Sequence, residues 1–434
     1  MIKLKNILTN PFLVIFLSGA LLNIPFFVHE IWADFLAFFL IIPVFVAVTK
    51  VPKNKKYLAG LLFFSVWLIP TSLWYFYFMN PWEACLKLTF FFLMANIFVV
   101  PNILKKKNII LEFGLIIFTW TAITFLRINL PFTEDWWIPH IAYTQWQNLS
   151  ILQLANFTGI FGIIFAILFL NAFLAYLWIK KKKYLVIISI IFLIATFSFG
   201  NYYIKNISNF NKIPFTLIGI QSSPENGFYA NANKNDIYKL QQLTQNALSE
   251  ISNKDRKIIV LWPENMLQEK HSKILQNFAK ENNIYIIFNR AEKTNQGLFN
   301  TVIMIEPSGE EILKNYKMHS APSEKIQVKS NIHNSIKIDK LKITSDICYD
   351  LHYSDISKRI QNSDLLFAPV DDDRFGNFMP YLHASDTIFR AIENRVNIFT
   401  ASTNAPTMFV DKYGVIKKGP LKAYNEGYLI VNSK

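Results

Sequence analysis

Residues 156–179, NFTGIFGIIFAILFLNAFLAYLWI, contain no charged side chain. A run of that length and apolarity is too long for a strand. As a helix it spans a hydrocarbon layer of about 30 Å. Comparable runs lie at 11–29, 32–49, 57–78, 84–104, 109–127 and 184–200. The first two are also open to a helical pair or a re-entrant segment. Seven such runs in series cannot all be buried in one soluble core, so they are read as membrane spans. Beyond about residue 200 charges return and short apolar runs alternate with polar ones. The expected organisation is a transmembrane helical domain over 1–205 and a water-soluble α/β domain over 206–434. The 52% hydrophobic content, with 40 Phe and 14 Gly, agrees with that split.

The net charge of +14 invites a nucleic-acid reading, but much of the excess is lysine beside the apolar runs. Of fifteen Lys and Arg before residue 200, thirteen fall at the N-terminus, at 50–56, at 105–107 and at 180–183. Those places alternate with the intervening loops, where only Lys87 and Arg127 occur. Basic residues favour the cytoplasmic face. The asymmetry therefore predicts a cytoplasmic N-terminus and, after an odd number of spans, an external second domain. No small-residue cleavage site precedes NIPFFVHE, so the first run is expected to stay as an anchor. Trp136, Trp137, Tyr143 and Trp146 fall in an external loop and read as an interfacial aromatic belt.

In the second half, 215–221, 257–265, 284–291, 301–307, 341–350, 364–372, 397–403 and 407–414 read as strands. Helical stretches lie at 235–251, 270–282, 353–362 and 380–395. Three residues are placed at strand ends expected to share one sheet: Glu264 in WPEN, Lys317 in KNYKMHSAPSEK and Cys348 in ITSDICYD. The chain has one other cysteine, Cys85, in an apolar run. A lone thiol outside the cytoplasm is exposed to oxidation, which suggests that it is used. A carboxylate can take the thiol's proton, and an ammonium can stabilise the oxyanion formed when the thiolate attacks a carbonyl. His319 and His383 are not spaced as metal ligands with a Cys or acid, and DDD at 371–373 reads as a solvated loop. No Gly-rich phosphate loop occurs. No metal or other cofactor is expected.

The order WPE, a loop Lys before H..P..E, then ICY followed by an acid resembles the nitrilase superfamily. Behind several membrane spans it resembles the bacterial apolipoprotein N-acyltransferases. Within 125–175, AYTQ, LAN..GI.G and NA.LA are similar to that family's stretch between its fifth and sixth spans. FNT (299–301), DDDRFG (371–376), His383, RAIENR (390–395) and TASTNAPT (400–407) follow in the family's order. The resemblance implies an αββα nitrilase-like domain outside a bacterial inner membrane. It also implies a two-step reaction in which Cys348 takes an acyl chain from a membrane phospholipid as a thioester. The chain then passes to the α-amino group of a diacylglyceryl-cysteine lipoprotein. Glu264 falls on the general base and Lys317 on the oxyanion support. Glu324 matches a second glutamate, Tyr349 and Asp350 the pair after the nucleophile, and Arg374 and His383 supporting positions. The sequence departs from the family at APSE, one residue short, at Arg374 where Trp is usual, and at Asp350 and Asp371 where Glu and Asn are usual. It ends on AYNEGYLIVNSK, a strand-like run where the family has a final transmembrane helix. Two other readings use the same residues: a membrane-anchored amidase, and a non-catalytic lipid- or partner-binding relative.

Overall fold

The computed structural model describes residues 10–77, 79–104, 108–130, 133, 137–208, 213–223, 234–252, 256–264, 267–321, 324, 333–360, 362–373, 375–376 and 378–432. It divides into two compact units, Met1–Tyr203 and Ile204–Lys434.

The first unit is helical. Among the described residues, five helices are long and apolar enough to cross a membrane: Lys53–Tyr77, Pro81–Ile103, Ile109–Asn129, Ala155–Ile179 and Lys183–Ile207. The first two expected runs are interrupted instead. Residues 11–29 form Pro11–Leu21 and Ile24–Phe27, and the next run splits into Ile31–Leu36 and Ile42–Val48. Asn171 spans the second break. Its Oδ1 accepts from the Ile41 N–H at 3.2 Å, and its Nδ2 donates to the Ala37 carbonyl at 2.9 Å. An interrupted backbone in an apolar setting requires partners of this kind. Phe63, Phe64, Trp67, Phe98 and Trp120 fill the interior, with the Phe64 and Trp120 rings 4.9 Å apart. A buried Lys56–Glu112 ion pair links two of the long helices.

Two of the four residues read as an aromatic belt belong to this interior. Trp137 and Tyr143 are buried, and the Trp137 Nε1 donates to the Tyr143 hydroxyl at 3.1 Å. The Tyr75 hydroxyl donates to the Trp137 carbonyl at 2.6 Å. The polar ends of these rings are satisfied by protein, so the rings pack inward. Trp146 is half-buried with its ring 6.1 Å from that of His29. Trp136 lies outside the described residues.

The second unit contains two sheets. The strands in chain order are β1 Thr216–Gln221, β2 Ile258–Leu261, β3 Leu267–Gln268, β4 Tyr285–Thr294, β5 Gly297–Ile305, β6 Glu311–Tyr316, β7 Ser335–Ile338, β8 Leu341–Ser345, β9 Leu365–Asp371, β10 Asn397–Thr403, β11 Met408–Val410, β12 Ile416–Lys418 and β13 Gly427–Asn432. One sheet runs β13-β1-β2-β4-β5-β6, with β3 beside β4, and the other runs β12-β11-β10-β9-β8-β7. The central strands are parallel: β1 with β2 and β2 with β4 in the first sheet, β8 with β9 and β9 with β10 in the second. β1, β2 and β9 are buried along their whole length, as expected of parallel strands covered on both faces.

Helices Lys234–Ser249 and Ser272–Asn282 cover the first sheet, where Leu240, Leu275 and Phe278 meet Ile218, Val260 and Trp262. Helix Met379–Asn394 packs on β10 and β11 of the second. The layers are therefore helix, sheet, sheet, helix. Where the sheets meet, a Cβ on Gly219 would sit 2.8 Å from the Phe399 ring and 2.9 Å from Thr407. Only glycine allows that approach. A bridge between Ser222 and Thr403 joins the sheets at the same edge.

The strand expected over 341–350 stops at Ser345, and Cys348–His352 is a 3₁₀ turn. The helix expected over 353–362 is a 3₁₀ turn at Ser354–Ile356 followed by Ser357–Ile360.

Candidate active site

Glu264 leaves β2 through Trp262 and Pro263, and its N–H donates to the Val370 carbonyl of β9 at 3.3 Å. Lys317 follows β6 directly, and its N–H donates to the Asn300 carbonyl at 2.9 Å. Cys348 follows β8. The three residues therefore do not share one sheet as expected. Glu264 and Lys317 come from the first sheet and Cys348 from the second, and the seam between the sheets brings them together.

The Lys317 ammonium donates to Glu264 Oε1 at 3.0 Å and to Glu324 Oε1 at 2.8 Å. The second Glu324 oxygen accepts from the Ala321 N–H at 2.8 Å. The short APSE turn thus still delivers Glu324 to the lysine. Asn300 of β5 donates to Glu264 at 2.7 Å and is itself held by Asn289 at 2.9 Å. Glu264, Lys317 and Cys348 are each at least 95% buried. Burial raises the Glu264 carboxyl above the usual range, with Lys317 opposing the shift and Glu324 adding to it. The Cys348 thiol donates to the Asp371 carbonyl at 3.7 Å and lies close enough to Glu264 for the two groups to shift each other. Burial and the Glu264 charge hold that thiol well above its ordinary value, against the pull of Lys317. The resting sulfur is a protonated thiol with a base beside it, and both groups are displaced in the direction that desolvation dictates.

Cys348 has a φ of 44°, a left-handed conformation that costs a non-glycine residue about 1–2 kcal/mol. Neighbouring side chains grip the backbone on both sides of it. The Asp350 carboxylate accepts from the Ile347 N–H at 3.4 Å and from the Met318 and His319 N–H groups at 3.0 and 2.8 Å. One fully buried carboxylate therefore ties the lysine loop to the cysteine turn. Burial and the neighbouring Asp346 push the Asp350 carboxyl up to about 6, with Arg359 opposing. Tyr349 is buried, its ring 5.4 Å from those of His352 and Tyr353.

His383 grips the other side. Its Nδ1 lies 2.8 Å from Asp372 Oδ1 and its Nε2 3.3 Å from the Cys348 carbonyl. Burial pulls the imidazole down, but Asp372 and Asp386 outweigh it and raise the group to about 9. The sequence reading that His383 has no Cys or acid at ligand spacing is thus corrected. Atoms of Cys348, Asp372 and His383 lie within 4.8 Å of one another. Both ring nitrogens already face acceptors, and an imidazolium has no lone pair to give a metal. The arrangement is that of an ion pair holding a backbone carbonyl. The expected solvated DDD loop is corrected as well: Asp371 closes β9 and Asp372 is fully buried. Asp371 carries the carbonyl that faces Cys348 Sγ at 3.7 Å.

His319 stands outside the catalytic group, its Nε2 3.0 Å from Asp355 and its ring stacked on Tyr353. Arg374 lies outside the described residues. Sequence reasoning did not single out Asn300, Asn289 or Asp372 as site residues. Asn300 carried a signal, as an amide inside the apolar strand FNTVIMI, where a buried polar group needs a purpose or a partner.

Comparison with known proteins finds relatives of both halves of the chain. Residues 18–173 match the family model described as the apolipoprotein N-acyltransferase N-terminal domain, and 227–432 match that of carbon-nitrogen hydrolases. An apolipoprotein N-acyltransferase of Borreliella burgdorferi is 26% identical over 98% of this chain and 90% of its own length. Proteins of the same name from Geobacter metallireducens and Bdellovibrio bacteriovorus are 21% and 22% identical, over 69% and 70% of this chain and 64% and 65% of their own lengths. Among solved structures, Saccharomyces cerevisiae Nit3, a nitrilase-superfamily member, aligns with a TM-score of 0.41 at 17% identity over 50% of this chain and 89% of its own. A Nesterenkonia sp. AN1 amidase aligns at 0.42 and 13% identity over 51% and 92%. The two family matches lie in order along most of the sequence, and the chain joins a segment matching the apolipoprotein N-acyltransferase N-terminal domain to a carbon-nitrogen hydrolase segment that carries Glu264, Lys317 and Cys348.

Proposed function

We propose that this chain moves an acyl group from a membrane phospholipid, through a thioester on Cys348, to the α-amino group of a diacylglyceryl-cysteine at a lipoprotein N-terminus. The observation that supports this best is the cluster itself: Lys317 held between Glu264 and Glu324, with the Cys348 thiol buried in the same site. In the first half-reaction Glu264 takes the thiol proton as sulfur attacks the ester carbonyl. The tetrahedral oxyanion gains from the adjacent Lys317 charge. Collapse breaks the ester C–O bond. The alkoxide recovers the proton from Glu264 and leaves as lysophospholipid, with the acyl group on sulfur. In the second half-reaction the amine attacks the thioester carbonyl, Glu264 accepts an ammonium proton, and the C–S bond breaks. The thiolate then regains that proton as the amide leaves. A carboxyl raised toward neutrality suits both transfers, because its affinity for the proton lies closer to that of the thiol.

Glu324 keeps the lysine charged and positioned. Asp350 and His383, through the backbone they hold, keep sulfur and ammonium in register. Tyr349 packs behind the nucleophile, and Arg374 falls on a supporting position. The lysine asymmetry supports a multi-pass protein of the bacterial cytoplasmic membrane with the two-sheet unit on the outer side.

The test is to incubate purified protein with phospholipid, identify the Cys348 adduct by mass spectrometry, and add a diacylglyceryl peptide. An acyl-Cys348 species that persists in buffer and is discharged onto the peptide amine is expected. Discharge to free fatty acid at the same rate with and without peptide would make the chain a hydrolase.

A further inference from the structure

The helical unit holds an apolar groove of about 680 Å³ that plays no part in the chemistry above. Its walls come from the starts of Pro11–Leu21 and Lys183–Ile207, the end of Ala155–Ile179, and the short helix Ile42–Val48. The groove follows from the interrupted second run. A short helix in place of a full span leaves a trough along its flank, floored by Phe39, Ile42 and Val46 and closed on the far side by Val186 and Ile190. Phe39, Ile42 and Ile190 pack on the buried cluster of Leu174, Leu177 and Val186, which backs the trough.

The two ends of the trough differ in chemistry. From Ile42 to Lys50 the backbone advances about 12 Å at helical rise. That approaches half of the ~30 Å hydrocarbon thickness, the depth of one leaflet. Lys50 is the charged residue among those lining the groove, and it is exposed at one end. Trp178 lines the same end, and the Lys183 ammonium lies 5.6 Å from its ring. Lys180, Lys181 and Lys182 are exposed in the adjoining turn. A leaflet-deep apolar slot beneath a crown of ammonium groups matches a molecule with a fatty chain and an anionic head.

We infer that this groove is a binding site for one anionic phospholipid, an acyl chain lying along Ile42–Val48 and the phosphate at Lys50 and Lys183. Each ammonium near an anionic head group contributes roughly fivefold in retention. A zwitterionic lipid carries its own cation there and gains less. The site belongs to the helical unit alone and is independent of the acyl-transfer reading.

The experiment uses the full chain carrying Cys348→Ala, so that turnover cannot account for bound lipid. It is extracted from vesicles of equal phosphatidylglycerol and phosphatidylcholine and examined by native mass spectrometry. The expected result is a bound phosphatidylglycerol preferred at least about fivefold. Lys50→Glu should reduce that preference to below twofold, and Val46→Trp, which fills the slot, should remove the retained lipid while a thermal melt shows the protein folded. Equal retention of both lipids, an unchanged preference in Lys50→Glu, or retention undiminished in folded Val46→Trp would each overturn the inference. So would a lipid-free dimer as the dominant species, which would make the trough a contact between copies of the chain.

Discussion

Replacing Lys317 with Met isolates the physics of the site, because two buried carboxylates depend on that one cation. Glu264 and Glu324 lie 3.0 and 2.8 Å from its nitrogen. At an effective dielectric of 20, each contact is worth about 5 kcal/mol of Coulomb energy, much of it spent on desolvating the charges. Removing one partner of such a group costs about 3–5 kcal/mol, because the charges left behind stay buried. With the cation gone the Glu264 carboxyl is raised further, in the direction it already shows. A carboxyl whose folded-state pKa exceeds its unfolded value of about 4.3 is stabilising below that value. The contribution is lost as pH rises through the folded pKa. The stability deficit of Lys317→Met, measured by urea unfolding in detergent, should therefore be small near pH 5 and largest near pH 8. Adding Glu324→Gln removes one of the two charges and should restore at least about 1 kcal/mol at pH 8. It should not restore activity. Loss of an oxyanion donor costs about 10²–10³ in rate, and a general base held in its protonated form costs about 10²–10⁴. Thioester formation at pH 7.5 should fall at least ~10⁴-fold in both variants. A deficit that is the same at pH 5 and pH 8, or a rate within tenfold of the parent, would refute this account of the cluster.

Other outcomes follow from the same geometry. Asp350→Ala removes the acceptor of two short backbone hydrogen bonds and one longer one, and should cost about 3 kcal/mol or more in urea unfolding; a loss under 1 kcal/mol would show that the clamp is not needed. Iodoacetamide labelling of Cys348 should keep accelerating above pH 9, since burial holds the thiol above its ordinary value, and a plateau below pH 8 would contradict that. Gly219→Ala places a methyl against Phe399 and Thr407 and should cost about 1–3 kcal/mol, read from the shift in unfolding midpoint.

Much of the two-sheet unit was visible in the sequence, and the reasons for the misses are local. Strands such as TLIGIQ and LLFAPVD are largely apolar runs that declare a buried parallel strand. β6, EILKNY, and β7, SIKI, are half-exposed edge strands whose apolar residues are interrupted by polar ones, a composition that resembles a loop. Glu264 and Cys348 were found because each sits at the end of an apolar run, and Lys317 within the loop KNYKMHSAPSEK that follows one. Their assignment to one sheet failed, because pattern along a chain does not say which sheet a strand joins. The His383–Asp372–Cys348 contact unites residues 11 and 35 positions apart on different elements, and no local pattern encodes it. In the helical unit, hydropathy located the apolar runs but not the break at 37–41, whose open backbone groups are closed by Asn171 from a distant helix.

The two-sheet origin of the site has a mechanical corollary. Nucleophile and base stand on opposite layers, joined by side-chain and backbone links across the seam such as Ser222–Thr403 and Glu264–Val370. A slip of about 1 Å between layers would separate sulfur from its proton acceptor while leaving every helix and strand intact. Inactivation on warming should then precede melting, and a ligand that wedges the layers apart would silence the chemistry without touching any reacting atom.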